Sequence, residues 1–224
     1  MVDNNIILRL YNSQDRLAVR EISYETADRG NSAENIFGDR EVLADLLTCY
    51  YTDYEPQSLW VAEHERRVIG YLTGCLDSRR YLRIMGWRLW PCILIKAIFR
   101  GALWRPQTWR LFKATVMTLC QGKLRREIPF DKYPAHLHVN VRKNFRGQKI
   151  GKRLIERFIV QVKAAWLNGI HLSTHEDNIS ARKFFEYLGF MELSRYPTIN
   201  ISSEHKRITH TIIYVMDLRN HNPL

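Results

Sequence analysis

The sequence contains few cysteines, and their spacing matches no ligand or bridge pattern. The four of them, Cys49, Cys75, Cys92 and Cys120, lie far apart and include no Cys-x-x-Cys pair. This spacing argues against a zinc knuckle and against a disulfide scaffold. Because free thiols suit a reducing compartment, we expect a cytoplasmic protein.

A leader sequence and a membrane-length apolar run are also absent. The first residues, MVDNNIILRLYNSQDR, lack the basic region, apolar core and cleavage site of a signal peptide. The apolar run WPCILIKAIF, residues 90–99, carries Lys96 and is shorter than the roughly 20 residues that a membrane span needs. With 46% hydrophobic residues in 224 positions, the chain can build one packed domain over 1–224.

Acidic residues are missing from one long segment. Residues 79–126 contain twelve Lys or Arg and no Asp or Glu, although the whole chain has a net charge of +11. The segment is rich in Trp, and its pattern predicts two or three helices that split near Pro91 and Pro106. We therefore predict a basic helical insertion at 79–128.

Three roles of this insertion stay open from the sequence. It can pack on the core or on a partner subunit, as in a homodimer. It can also lie on a membrane surface through 79–126, because anionic interfaces attract Lys, Arg and Trp. Nucleic-acid binding is disfavoured, since no helix-turn-helix or RNA-binding signature accompanies the charge.

Outside the insertion, hydrophobic periodicity predicts alternating strands and helices. The predicted strands cover 6–12, a hairpin over 59–77, 135–141, 170–175, and a closing antiparallel pair over 190–199 and 210–218. The predicted helices cover 13–27, 39–54, 147–169 and 178–190, and Gly169 and Gly189 end the last two. This order predicts an α/β (α+β) fold whose mixed, mostly antiparallel central sheet is flanked by helices.

The stretch VNVRKNFRGQKIGKRLIERF, residues 139–158, predicts a strand, a basic turn and a helix. Gly147 and Gly151 flank the helix start, where unpaired N–H groups carry partial positive charge and suit a phosphate. The acidic residue of a dinucleotide-binding fingerprint and the Gly-Lys-Ser/Thr of a P-loop are both missing. Taken alone, the stretch fits a plain strand-to-helix loop about as well as a phosphate cradle.

A second stretch, NISARKFFEYLGF at 178–190, makes a family resemblance specific. Together the two stretches resemble the signatures of the GNAT superfamily of acetyl-CoA-dependent N-acetyltransferases. The first signature, Arg/Gln-x-x-Gly-x-Gly/Ala, aligns with Arg146-Gly147-Gln148-Lys149-Ile150-Gly151. The second aligns with Asn178, Ala181, Phe184, Phe185, Gly189 and Phe190. The resemblance covers nearly everything except the insertion, and more narrowly the chain resembles the acetyltransferase-like domains found with O-GlcNAc hydrolases.

The resemblance implies acetyl-CoA as acyl donor and a primary amine, on a small molecule or a protein, as acceptor. The strand around Val139 would bind the pantetheine arm, and a backbone N–H there would polarise the thioester carbonyl. The turn at Gln148–Lys152 would bind the pyrophosphate, and Asn178 and Ala181 would border the arm. The implied cofactor-binding set is Val139, Val141, Arg146, Gly147, Gln148, Lys149, Ile150, Gly151, Lys152, Asn178, Ala181, Phe184 and Phe185.

Two residues depart from the family pattern. Lys149 stands where the signature has its middle glycine. Phe185 stands where the family has a tyrosine, the usual proton donor to the leaving thiolate, and loss of a general acid typically costs about 10²–10⁴ in rate. The alternative function is therefore a weak or inactive GNAT-like binding module that acts through the basic insertion.

Other residues could handle protons in place of that tyrosine. His136, His138 and Asn140 alternate along one strand and so share one face, where they form either a buried hydrogen-bonded network or a functional group. We name His138, Glu63 and Ser173 as catalytic candidates. A metal site is not predicted, because no third ligand stands at a sensible spacing.

Overall fold

The computed structural model describes residues 5–35, 37–109, 128–200 and 207–219. The strands of the described chain are β1 Ile7–Leu10, β2 Leu59–His64, β3 Arg67–Cys75, β4 Ala135–Val141, β5 Gly169–His175, β6 Met191–Asn200 and β7 Arg207–Asp217. They form one sheet in the order β1-β2-β3-β4-β5-β7-β6, in which only β4 and β5 are parallel. The predicted mixed, mostly antiparallel sheet is confirmed.

Helices cover both faces of this sheet. They are α1 Arg16–Thr26, α2 Arg40–Asp53, α3 Ser78–Ile84, α4 Trp90–Phe99, α5 Ile150–Ala164 and α6 Ile179–Tyr187. Leu72 and Leu137 pack under α5, whereas Tyr71 and Cys75 of β3 pack under α1 and α2. Successive side chains of a strand point to opposite faces, so each strand contributes to both cores.

The sheet divides between its two parallel strands. β4 and β5 pair only at Ala135 with Ile170 and at His136 with His171. Beyond these pairs β4 stays with β3, and β5 stays with β7 as far as His175. The two halves of the sheet therefore diverge, and a wedge opens between β4 and β5.

The ends of α5 and α6 test the two glycine predictions. Gly189 has φ +88°, and the Phe190 N–H donates to the Phe185 carbonyl, so Gly189 ends α6 as predicted. The prediction for Gly169 is wrong, because Trp166 (φ +59°) ends α5 in the same way and Gly169 begins β5. A Cβ at Gly169 would lie 2.8 Å from the Lys132 carbonyl oxygen, so close packing explains that glycine.

Residues 78–99, at the start of the basic segment, form one continuous helical run, which ends before the left-handed Gly101. A π-helical turn, Met85–Leu89, joins α3 to α4, so the predicted split at Pro91 is wrong. Proline cannot donate to the preceding turn, and a local π turn accommodates such a residue without ending the helix. The Nζ of Lys96 lies 2.5 Å from Asp45 Oδ2, which ties α4 to α2. The helix predicted after Pro106 falls largely on residues 110–127, outside the described ones.

Candidate active site

Two cavities open from opposite faces of the sheet and meet in the wedge. The α5 cavity, about 460 Å³, is lined by the edge of β4, the turn after it, and α5 and α6. The α1 cavity, about 320 Å³, is lined by α1, α2 and the middle of β3, β4 and β5. The residues common to both are Arg29, Gly30, Val139, Asn140, Asn178, Ala181 and Phe185. A molecule in one cavity can therefore reach a molecule in the other through the wedge.

In β4, alternate residues direct their backbone N–H and C=O groups to opposite sides of the strand, and this alternation determines which groups face the wedge. The Arg142 N–H donates to the Ile69 carbonyl of β3 at 2.9 Å, so the even-numbered residues of β4 direct their backbone groups to β3. The odd-numbered Val139 and Val141 direct theirs to the other side, beyond the last pair with β5. The N–H and C=O groups of Val139 and the N–H of Val141 are thus available to an extended chain lying in the wedge.

The turn before α5 forms an anion-binding concavity. Gly147 has φ +83°, and Lys149 stands at the helix N-cap with φ +61°. The first N–H that bonds back into the helix is that of Arg153, which donates to the Lys149 carbonyl at 3.0 Å. The N–H groups of residues 150–152 therefore have no helical partner, and they lie at the positive end of α5 beside the α5 cavity.

Lys149 occupies a backbone conformation that usually belongs to glycine. A left-handed conformation costs a residue with a Cβ roughly 1–2 kcal/mol. The turn nevertheless keeps its course, because the Lys149 side chain is exposed and lines the cavity. The departure from the signature is therefore accommodated by local strain, and it adds a cation at the cavity wall.

The Arg146 side chain forms two hydrogen bonds to backbone carbonyls at the edge of the wedge. Its Nε donates to the Val141 carbonyl at 3.0 Å, and its second terminal nitrogen donates to the Gly30 carbonyl at 2.6 Å. These bonds connect the end of β4 with the loop between α1 and α2. Arg146 lines the α5 cavity as predicted, but its guanidinium already binds two backbone carbonyls.

The α6 side of the cavity is apolar. Asn178 caps α6, since its side-chain oxygen accepts from the Ala181 N–H at 3.1 Å. A Cβ at Gly151 would lie 3.2 Å from the Phe184 ring, so α5 and α6 approach closely in the first turn of α5. All residues of the predicted cofactor set except Gln148 line this cavity; the buried Gln148 side-chain oxygen has no partner among the described residues.

Comparisons with known proteins agree with this geometry. Residues 118–192 match a family model described as "Acetyltransferase (GNAT) domain". Over this segment the chain is similar to the GNAT superfamily. Members of this family use acetyl-CoA as acyl donor. The narrower branch found with O-GlcNAc hydrolases stays a prediction.

Several solved structures share the whole fold. The crystal structure of SsHAT is 23% identical, covers 96% of this chain and 98% of that one, and has a TM-score of 0.73. The putative acetyltransferase yncA of Salmonella typhimurium, solved with its cofactor acetyl-CoA, is 16% identical, covers 99% of each chain and has a TM-score of 0.58. An N-acetyltransferase of Staphylococcus aureus Mu50 is 15% identical, covers 96% of this chain and 99% of that one, and has the same TM-score.

The GNAT tyrosine position lies where the two cavities meet. Phe185 is 8% exposed, and its ring packs 5.9 Å from that of Phe190. It lines both cavities but carries no hydroxyl. Tyr187 is 71% exposed and lies under Lys152, 5.5 Å away, on the α5 side, so it does not replace the missing hydroxyl.

Two of the three catalytic candidates reach the GNAT cleft. His138 and Ser173 line the α1 cavity, on β4 and β5. Glu63 lines neither of these two cavities, and its catalytic role stays a prediction. Its carboxylate accepts from Arg9 Nε at 2.8 Å, and Arg9 also bridges to Asp15, which makes Glu63 part of an ion-pair cluster at the β1 edge.

The strand face of His136, His138 and Asn140 combines structural and cavity-facing groups. His136 is buried between the Tyr51 hydroxyl, 3.0 Å from Nε2, and the Ser78 hydroxyl, 2.7 Å from Nδ1. Burial lowers the pKa of His136 well below its usual value, so the ring is neutral. This histidine belongs to a buried network, whereas His138 faces the cavity.

Sequence reasoning missed three groups of the α1 cavity. Tyr71 accepts a hydrogen bond from the Asn140 side-chain amide at 2.9 Å, and burial raises its pKa. Tyr51 and Tyr81 line the same cavity, and Arg29 reaches it from the loop after α1. Aromatic residues on helices and strands predict core, and only the register of β3 against β4 opposes Tyr71 to Asn140. No group of three or more His, Cys, Asp or Glu that could hold a metal occurs among the described residues.

Proposed function

We propose that this protein transfers the acetyl group of acetyl-CoA to a primary amine. The single observation that carries the proposal is the wedge between β4 and β5, where two cavities from opposite faces meet beside the unpaired backbone of Val139. Acetyl-CoA would enter through the α5 cavity and the amine through the α1 cavity. We expect the reaction to take place in the cytoplasm.

The α5 cavity offers what the donor needs along its length. The pyrophosphate would lie at the N–H groups of residues 150–152, with Lys149 and Lys152 adding charge. The pantetheine arm would add to the free edge of β4, as an extended chain adds to a sheet edge. Ala181 leaves room for the arm beside α6.

The chemistry would be direct attack of a neutral amine on the thioester carbonyl. A C–N bond forms, the C–S bond breaks, and the amine loses a proton. The Val139 N–H would stabilise the oxyanion of the tetrahedral intermediate. Holding the two reactants together supplies much of the rate.

Protonation of the leaving thiolate would not come from residue 185, the position of the family tyrosine. Phe185 cannot donate a proton, but a thiolate with a pKa near ~8.5 is a tolerable leaving group. His138 is the candidate base or substrate contact in the α1 cavity, and Ser173 lies across the wedge from it. The Tyr71 hydroxyl, fixed by Asn140, is a further proton donor in the same cavity.

Calorimetric titration with acetyl-CoA, followed by an assay of free CoA with a panel of amines, tests the proposal. We expect micromolar binding and acetyl transfer. Ala181→Leu, which fills the waist where the two cavities meet, should weaken acetyl-CoA binding by roughly 100-fold, about 2.7 kcal/mol. Lys183→Leu, on the exposed side of α6, is the matched control. Absence of heat up to millimolar acetyl-CoA would refute the proposal, and binding without turnover would favour the binding-module alternative.

A further inference from the structure

No carboxylate occurs among the described residues that line the α1 cavity. Its polar lining consists of three tyrosines, several hydroxyl and amide side chains, two histidines and one arginine. A second positive charge on the acceptor, as in a polyamine or a lysine-rich peptide, would have to be desolvated here without a counter-charge. Such burial is costly. The lining therefore selects against polycationic acceptors.

Arg29 lies at the waist where both cavities meet. Its side chain is 22% exposed, and one terminal nitrogen forms an ion pair with the Asp177 carboxylate at 3.6 Å, a distance too long for a hydrogen bond. Its Nε is buried and has no hydrogen-bond partner among the described residues. A guanidinium has five N–H donors in a fixed fork that matches a carboxylate or a phosphate. Arg29 thus has the donors to bind an anion in the wedge.

We propose that the acceptor is an amine that also carries an anionic group, a carboxylate or a phosphate, and that Arg29 binds this group. The inference rests on the proposed function, since it assigns the α1 cavity to the acceptor. The lack of wall carboxylates is consistent with the chemistry as well. No carboxylate among the described lining residues stabilises the ammonium form by direct contact, so the neutral nucleophile forms more readily.

Matched acceptor pairs test the inference. The pairs are phenylalanine with phenethylamine, and glucosamine 6-phosphate with glucosamine; spermidine is the polycation. We expect the anionic member of at least one pair to have a kcat/KM about 10–100-fold higher, as a charged hydrogen-bonded contact provides. The two pairs distinguish carboxylate from phosphate. Preference for spermidine, or for the members without an anionic group, would overturn the inference.

The variant Arg29→Gln should abolish the preference through KM, whereas Arg157→Gln, exposed on α5, should leave it unchanged. Binding of N-acetylphenylalanine against N-acetylphenethylamine gives the same comparison without catalysis. If acetyl-CoA binds and only uncharged or cationic amines are acetylated, the acceptor class alone is wrong. If acetyl-CoA does not bind, the proposed function itself fails.

A second inference rests on a different surface, the outer side of α3 and α4. Ile93 and Ala97 of α4 pack against Val42 and Leu43 of α2. The rest of this helical run presents large apolar side chains to solvent: Trp87, Trp90, Leu94, Ile95, Ile98 and Phe99, of which Trp87 is 83% and Phe99 87% exposed. Contiguous exposed apolar surface of this kind marks an interaction site.

The charge around this apolar face is of one sign. Arg80, Arg83 and Arg88 are exposed and have no carboxylate partner among the described residues, and no Asp or Glu occurs anywhere in 79–126. A second copy docked on the same face would bring like charges together. An anionic lipid surface accommodates both features, because arginines bind headgroups while tryptophan and aliphatic side chains enter the interface.

We infer that this outer face of α3 and α4 binds anionic membrane surfaces. No helix of the described chain is long and apolar enough to cross a bilayer, and this binding would be peripheral. It does not depend on acetyl transfer.

Flotation of the full chain with vesicles of phosphatidylcholine alone, or with 30% phosphatidylserine, tests this inference. We expect binding to the anionic vesicles only, weakened by salt. The double variants Arg83→Glu/Arg88→Glu and Trp87→Ser/Phe99→Ser should each reduce it by roughly tenfold or more. Trp166→Ser, which removes a 92% exposed tryptophan elsewhere, is the control. Absence of vesicle binding would overturn the inference, as would a dimer in light scattering that Trp87→Ser/Phe99→Ser dissociates.

Discussion

The two sides of the wedge are built from different parts of the chain and by different means. The α5 cavity comes almost entirely from 139–152 and 178–187, and its binding groups include backbone N–H groups at a strand edge and a helix start. The α1 cavity collects side chains from segments as distant as Ser23 and Phe185. Backbone recognition tolerates a change such as Lys149, whereas side-chain recognition depends on each residue. The α5 cavity therefore depends mainly on backbone conformation, and the α1 cavity on the identity of its side chains.

Phe185 lies where the two sides meet, and its replacement gives the largest expected effect. Phe185→Tyr would place a hydroxyl at the waist, where it can protonate the leaving thiolate. We expect kcat to rise by about 100-fold, at the low end of what a general acid supplies. Phe184→Tyr, whose ring lines only the α5 cavity, should leave kcat unchanged. Equal kcat for Phe185→Tyr and the unmodified protein would mean that another group already donates the proton.

His136 lies beneath the acceptor side, and its environment predicts a pH-dependent stability. Burial lowers its pKa in the folded protein, so the unfolded chain binds the proton more readily. The contribution of His136 to the free energy of unfolding should therefore be fully present above pH ~6.5. Below that pH the free energy of unfolding should decline, by up to about 1.4 kcal/mol per pH unit.

Urea unfolding between pH 5 and 8 measures this dependence. His136→Gln should be less stable at pH 8 and should flatten the decline. An unchanged slope in this variant would assign the dependence to another group, such as His175, whose pKa is also lowered.

Lys149 tests the backbone recognition on the donor side. Lys149→Gly removes the Cβ from a left-handed residue and should raise the free energy of unfolding by up to about 1 kcal/mol. Loss of the cation should weaken acetyl-CoA binding only a few-fold, measured by calorimetry. Lys183→Gly, in the interior of α6, should instead destabilise by about 1 kcal/mol. A large loss of binding in Lys149→Gly would mean that the side chain, and not the backbone, holds the phosphates.

Glu63 gives the smallest expected effect and tests the limits of the site. Glu63→Gln breaks the ion pair with Arg9 and should lower the free energy of unfolding by about 0.5–1 kcal/mol, a decrease in Tm of a few degrees. Acetyl transfer should be unchanged, since Glu63 lines neither cavity. Glu65→Gln, in the exposed hairpin turn, should alter neither quantity. A fall in kcat would instead support a catalytic role for Glu63.

Local patterns predicted the fold well where they involve neighbouring residues. The strand 135–141 was predicted with its observed bounds, and Gly189 ends α6 because only a short stretch decides that turn. Gly169 was wrongly predicted to end a helix, because the need for glycine there is a tertiary one: the Lys132 carbonyl leaves no room for a Cβ. The ion pair of Glu63 with Arg9 is likewise tertiary, since Arg9 becomes its partner only when β1 pairs with β2.

The sequence by itself predicted the resemblance to the GNAT superfamily, the order of elements and most of the residues that line the α5 cavity. These depend on backbone conformation at glycine turns, helix starts and strand edges, which short motifs encode. Only the tertiary structure decided the acceptor side: the wedge, the pairing of Tyr71 with Asn140, and the position of Arg29 at the waist. Those features arise when distant segments pack together, and neither the periodicity of a strand nor that of a helix contains their relative placement.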